Sequence, residues 1–176
     1  MNVIHTALPE IVIFEPKKFG DARGFFLEHY QAERYQRFGV GGPFVQDNLS
    51  RSARGVVRGL HLQNPSAQGK LVSVMRGSVI DVAVDVRIGS PTFGKHVAVE
   101  LSDQNFRQLW VPRGFATGYY TLEDFTTVLY SSDNDYHPEA EMGIRWNDPC
   151  LKNISLPPYQ ALAISEKDQA WPDLIS

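Results

Sequence analysis

Apolar and polar positions alternate in short runs along most of this chain. The clearest series is LVSVMRGSVIDVAVDVRIGSPTFGKHVAVELS (71–102), where Val79, Asp81, Ala83 and Asp85 interleave with Ile80, Val82, Val84 and Val86. A period of two is the mark of a β-strand, whose successive side chains point to opposite faces. MRGS and RIGSPTFGK carry the Gly, Pro and Ser that cut the series into separate strands. IVIFEP (11–16), RQLWVP (107–112) and TTVLYSS (126–132) read as further strands. Helical patterns do not alternate with these runs. The chain is therefore predicted to be all-β, a sandwich or barrel rather than a set of βαβ units.

Helix is expected in two places only. EHYQAERYQRFG (28–39) sets Tyr30, Arg34 and Phe38 at helical spacing and ends on Gly39. ISEKDQAW (164–171) predicts a second short helix, and LKNISLPPYQALA (151–163) an irregular connection.

One strand-like stretch breaks the apolar pattern. RGLHLQ (58–63) places Arg58, His61 and Gln63 where a core strand is expected, and Lys70 follows soon after. Arg58 and His61 are an odd number of residues apart, so a regular strand sends them to opposite faces. Gly59 between them can host a bulge that brings both to one side.

Composition narrows the classes. The 176 residues predict one domain over 1–176, with ordinary hydrophobic (43%) and charged (21%) content. A net charge of −3 argues against a nucleic-acid binder that relies on a broad positive field, while a few focused arginines still suit a small anion. Cys150 is the only cysteine, so an intrachain disulfide is ruled out and a half-buried small apolar role is expected. The N-terminal stretch lacks a secretory pattern, and no run approaches the roughly 20 apolar residues of a membrane span. The expectation is a cytoplasmic protein with neither membrane nor nucleic-acid partners.

VPRGFATGYY (111–120) ends a strand with the spacing Pro-x-Gly-x-x-Thr, and GLHLQ carries one histidine. The pair resembles the motifs of cupin-type barrels, G…H-x-H and P-x-G-x-x-H, whose histidines hold a metal. Here Gln63 and Thr117 stand at two of those positions. A plausible cupin metal site needs three imidazoles and only His61 remains, so no metal is expected and His61 is free to act as a base.

A closer resemblance rests on long blocks in order: FGDARGFFLEHY, FVQDNLSRSARGVVRGLHLQ, QGKLVSVMRGSVIDVAVDVRIGSPTFG, LSDQNFRQLWVPRGFATGY, VLYSSDNDYHPEAEMGIRWNDP and ISEKD. Together they resemble the dTDP-4-dehydrorhamnose 3,5-epimerase family over nearly the whole chain. The resemblance implies a double-stranded β-helix (a jelly-roll, cupin-like barrel) with a few short helices. It also implies cofactor-free proton chemistry on a nucleotide-linked 4-keto-6-deoxy sugar. The C4 ketone acidifies the protons at C3 and C5; a base removes one, and an acid returns it on the other face. His61 matches the base and Asp168 its carboxylate partner. Ser165-x-x-Asp168 is also a capping-box pattern, which the residues alone favour and the resemblance overrides. Tyr130 matches the proton donor, with an adjacent cation expected to lower its pKa. Lys70 matches a lysine beside the ketone oxygen.

By the same resemblance Arg58 and Arg23 match pyrophosphate contacts, for which guanidinium forks are suited. Gln46, Asn48, Glu28 and Phe19 match nucleobase contacts, and Tyr136, Glu141 and Lys167 other ligand-facing positions. Thr117 and Leu49 replace histidines usual in the family, and Tyr119 and Tyr120 stand in a usually more apolar run. These departures leave two alternatives open. One is an epimerase inverting C3 or C5 only, on a different dTDP-, CDP- or GDP-linked ketosugar; the other is a non-catalytic cupin that binds sugar nucleotides. Family members are homodimers whose N-terminal region of about 30 residues crosses to the partner, so Phe19, Arg23 and Glu28 are expected to serve a neighbouring site.

Overall fold

The computed structural model describes residues 1–154 and 163–174. The strands are β1 (Asn2–His5), β2 (Val12–Glu15), β3 (Lys18–Asp21), β4 (Gly24–Leu27), β5 (Gln46–Ser52), β6 (Val56–Gln63), β7 (Lys70–Arg76), β8 (Ser78–Asp85), β9 (His96–Ser102), β10 (Gln108–Val111), β11 (Phe115–Thr121), β12 (Thr126–Ser132), β13 (Glu141–Gly143) and β14 (Ala163–Ile164). Two short α-helices, α1 (Ala32–Gln36) and α2 (Glu166–Gln169), and two single 3-10 turns, Pro138–Ala140 and Pro149–Leu151, complete the set among the described residues. The expected irregular stretch 151–163 lies mostly outside the described residues.

One sheet runs β1-β2-β10-β7-β12-β5 and the other β13-β6-β11-β8-β9, with β14 pairing parallel to β6 at its other end. Between them lies an apolar core that includes Ile13, Val72, Val74, Val79, Ala83, Leu101, Leu109, Val111 and Val128. Each fully buried aliphatic side chain of this kind contributes about 1.5–3 kcal/mol. The result is the double-stranded β-helix expected from the sequence.

The alternation in β8 divides the strand between two buried environments. Val79 and Ala83 face the barrel interior, while Ile80, Val82 and Val84 pack with Leu60, Ala116, Ile144 and Leu151 on the outside. Cys150 is half-buried against this outer layer, and burial pushes its thiol up to about 12, an inert state. Among the described residues no helix is long and apolar enough to cross a membrane.

Both helices are shorter than their sequence patterns. In the first, the Gln31 side chain accepts from Arg34 N at 2.7 Å, so the helix starts after Tyr30, and it closes at Arg37 before Phe38. Tyr30 and Phe38 still reach the core edge, 5.0 Å from the Tyr35 ring and 6.2 Å from the Phe14 ring respectively. In the second, Ser165 caps the single turn by accepting from Asp168 N.

Candidate active site

The register of β6 against β11 builds the site. Thr117 pairs with His61 and Tyr119 pairs with Arg58, so two residues of β6, Gly59 and Leu60, lie opposite the single Gly118. This is the bulge that the odd spacing of Arg58 and His61 requires. Gly59 adopts φ +106°, and a Cβ there would stand 2.8 Å from both Gly118 Cα and Thr117 O, so only glycine fits. With the bulge in place, Arg58 and His61 line the same cavity, of about 260 Å³.

That cavity opens between the two sheets. His61 reaches it from β6, while Tyr130 and Lys70 reach it from β12 and β7 of the facing sheet. The ring of Tyr130 and the Lys70 ammonium lie side by side, with Nζ 5.7 Å from the ring centre. His61 Nε2 is 2.6 Å from Asp168 Oδ1, and Asp168 Oδ2 accepts the Gly59 N–H at 3.3 Å. The Trp171 indole N–H also donates to Oδ1, at 3.3 Å. Burial pushes the Asp168 carboxyl up, but hydrogen bonds from His61, the Gly59 amide and the cap outweigh it and hold it below the ordinary carboxylate range. Ser165 therefore caps the backbone while the carboxylate serves the histidine. Asp168 makes both contacts: its backbone N–H reaches the Ser165 hydroxyl, and its carboxylate meets the His61 ring.

The other cavity groups are tuned mainly by burial. It pulls the Lys70 ammonium down, with the Glu141 and Asp81 charges opposing. It pushes the Tyr130 phenol up, with Arg58 opposing and Glu141 adding to the rise. This corrects the expectation of a lowered phenol: the neighbouring cation is present, but desolvation in the cavity exceeds its field. Glu141 accepts from Lys167 Nζ at 2.6 Å and from the Tyr136 hydroxyl. Burial raises the Glu141 carboxyl, but these bonds prevail and leave it lowered.

A second hollow adjoins the first through His61, Lys70, Tyr130 and Glu141, and is walled by Gln46, Asn48, Gln68 and Tyr136. Gln46 donates to Asn48 Oδ1 at 2.9 Å and accepts from Tyr136 N at 2.9 Å. Gln63, at the second cupin ligand position, is buried and donates to the carbonyls of Ser66 and Asp135. Thr117 is buried, and its single hydroxyl hydrogen serves Asp81 Oδ1 or Val82 O, each at 3.1 Å.

Three expected site residues lie elsewhere. Phe19 and Arg23 belong to the exposed β3–β4 hairpin, and Glu28 pairs with Arg34 on the surface. Leu49 points outward and is 69% exposed. The sequence reading also missed cavity residues: Ser50, Val72 and Asp81 line it. Asp81 is fully buried, and burial raises its carboxyl to about 7 against the opposing Thr117 hydrogen bond and Lys70 charge. An aspartate inside VIDVAVDV was the available signal; its burial comes from the face it shares with Val79 and Ala83, which the opposite sheet covers.

Comparison with known proteins bears on this site. The model of the family described as dTDP-4-dehydrorhamnose 3,5-epimerase matches residues 5–176. The Pseudomonas aeruginosa protein of that name is 50% identical over 171 residues, 96% of this chain and 93% of its own. The Shigella flexneri protein is 51% identical over 170 residues, covering 96% and 93%. A crystal structure of dTDP-6-deoxy-D-glucose-3,5-epimerase from Legionella pneumophila, in complex with dTDP-4-keto-L-rhamnose, superposes with a TM-score of 0.94. It is 50% identical, over 98% of this chain and 92% of that one.

Proposed function

This chain belongs to the dTDP-4-dehydrorhamnose 3,5-epimerase family, and from that premise we propose how its cavity epimerises a dTDP-linked 4-keto-6-deoxy sugar at C3 and C5. The observation that carries the reading is the convergence of His61, backed by Asp168, and Tyr130 from the facing sheet on one cavity.

His61 takes the proton from the carbon next to the ketone. Asp168 fixes the ring and stabilises the imidazolium that forms, as a carboxylate partner does in other base dyads. The electrons move into an enolate whose oxygen faces Lys70. Tyr130 then delivers its hydroxyl proton to the carbon from the other side, inverting the centre. A phenol raised by burial stays protonated at neutral pH and is still a far stronger acid than the carbon it serves. The ketone itself is the electron sink, so the reaction calls for neither metal nor cofactor.

Arg58 holds the diphosphate. Gln46, Asn48 and Tyr136 serve the adjoining hollow, and Thr117, Glu141 and Lys167 the cavity wall. Phe19, Arg23 and Glu28 act at the site of a second copy of the chain in a homodimer. Their position away from this chain's own cavity and the exposed Phe25 and Phe26 of the same hairpin support that assignment. The protein works in the cytoplasm.

One observation favours inversion of a single carbon: the Thr117 hydroxyl is turned to Asp81 and Val82, and that wall carries no second imidazole. NMR of the dTDP ketosugar incubated with the protein in D2O tests both readings. Deuterium entering at C3 and C5, and lost in His61→Ala, is expected. Exchange at one carbon selects the second reading, and exchange at neither overturns both.

A further inference from the structure

Trp171 lies three residues after Asp168, just beyond the turn of α2. The segment after it is tied to the loop that follows β13. The Arg145 N–H donates to Pro172 O at 3.0 Å, the Arg145 guanidinium pairs with Asp173, and the Leu174 N–H donates to Asp148 Oδ2 at 2.6 Å. Held from both sides, the indole lies against Gly143 of β13, the register partner of His61. A Cβ at 143 would stand 2.6 Å from Trp171 Cε2 and 2.7 Å from Cδ2, so the ring fills the place of a side chain on that strand. From there it meets the imidazole edge to face, with ring centres 6.2 Å apart, and its N–H donates at 3.3 Å to Asp168 Oδ1. That is the oxygen His61 Nε2 meets at 2.6 Å, which leaves Nδ1 as the ring nitrogen for the substrate. An indole N–H shielded from water commonly finds an acceptor. Here the acceptor is the atom on whose charge the imidazole depends. The Lys167 ammonium over the indole face, 5.8 Å from its centre, favours a stronger donor.

We propose that Trp171 is a positioning residue of the base: its N–H fixes the Asp168 carboxylate against the His61 ring and draws off part of the carboxylate's charge. The inference rests on the reading of His61 as the base and adds a third member to its pair. An indole N–H can only donate and does not titrate, so Oδ1 carries this bond in both protonation states of the imidazole. When His61 takes the substrate proton, the imidazolium faces a carboxylate whose charge is shared with the indole and the Gly59 amide. The ion pair is then stable enough to form and weak enough to give the proton up, as a base working near neutral pH requires. Without the indole the carboxylate turns more of its charge on the ring, which holds its proton to higher pH.

NMR titration of the histidine rings and indole protons tests this without turnover. The His61 ring is assigned by its loss in His61→Asn, and the indole by its loss in Trp171→Phe. In Trp171→Phe the His61 midpoint is expected to rise by about 0.5 unit or more, part of what a hydrogen bond to a charged group is worth. Lys167, Glu141, Lys70, Asp81, Tyr130 and Arg58 line the same cavity in both proteins, so the difference reports the indole. In an Asp168→Asn background the same substitution should leave the midpoint unchanged, because the charge it acts through is gone. The wild-type protein gives a second readout that no folding defect can touch: the Trp171 indole proton should shift with the His61 midpoint. No rise in Trp171→Phe, an equal rise in both backgrounds, or an indole resonance that ignores the titration overturns the inference. The two readings fail separately. Deuterium exchange by the wild type without the rise removes the role of Trp171 alone. The rise in a protein that never exchanges deuterium removes the epimerase reading alone.

Discussion

The imidazole of His61 and the carboxylate of Asp168 meet at 2.6 Å although 107 residues separate them in the chain. The second oxygen of that carboxylate takes the amide of Gly59, inside the bulge that turns His61 toward the cavity. One side chain thus orients the ring and braces the backbone that presents it. Asp168→Asn keeps the shape but cannot stabilise an imidazolium. Its deuterium-exchange rate should fall by about 10²–10⁴-fold, the range attached to a positioned base, and His61→Asn should fall at least as far. NMR exchange rates check both, and a variant within a few-fold of wild type contradicts the dyad.

Tyr130→Phe separates the two halves of the reaction. His61 still removes the proton and can return one from the same face, so solvent deuterium should enter the substrate without inversion. Product formation should fall by about 10²-fold or more. Coupling constants in the sugar ring distinguish label with retention from label with inversion. Full epimerisation by the phenylalanine variant removes Tyr130 as the acid.

Gly59→Ala strikes at the bulge. The added methyl meets Gly118 and the Thr117 carbonyl at 2.8 Å in a backbone region that disfavours side chains. A loss of about 2 kcal/mol or more is expected in denaturant unfolding. Exchange activity should fall further than the folded fraction does, because Arg58 and His61 lose their common face. A stable, fully active alanine variant refutes this account of the strand.

Asp81 gives the stability a pH dependence of predictable sign. Its folded pKa, raised to about 7, favours the neutral acid. The associated stability is complete below the ordinary carboxylate value near 4 and is lost as the pH rises through about 7. Thr117, Lys70 and Tyr119 are the polar groups acting on it. Asp81→Asn is neutral at every pH, so its melting temperature relative to wild type should climb between pH 4 and 8 and then level off. Melting curves across that range check it, and a constant offset shows that Asp81 does not titrate differently on folding.

Ser165→Ala removes the cap of α2, a loss of about 1 kcal/mol. Asp168 then sits on a looser turn, so exchange should slow, though less than in Asp168→Asn. Unfolding and exchange measured side by side decide whether the cap supports the dyad.

The barrel was legible because period-two alternation survives in β8 even where both faces are buried. The β3–β4 hairpin was not, since KFGDARGFFL carries exposed polar and aromatic residues with no core-facing stripe. The bulge could be anticipated at Gly59, because an odd spacing between two residues expected to share a ligand has few remedies in a strand. The pairing of His61 with Asp168 came from resemblance alone, since no local pattern reports a contact over such a separation. Tyr130 was misjudged electrostatically for a related reason. Sequence names the neighbouring charge but not the water excluded around the phenol. Asp81 looked like the polar side of an ordinary strand, but that side, shared with Val79 and Ala83, faces the opposite sheet across the barrel.

The extra residue in β6 also makes the strand a caliper. One jaw is Arg58 and the other His61, and the gap between them is set by the backbone of the bulge, which exchanging side chains on the cavity wall leaves in place. Ligands whose anionic group and reactive carbon are separated by a different length fall outside that gauge. Redesigning this protein for a longer or shorter connector therefore means moving the insertion along the strand, not repainting the cavity wall.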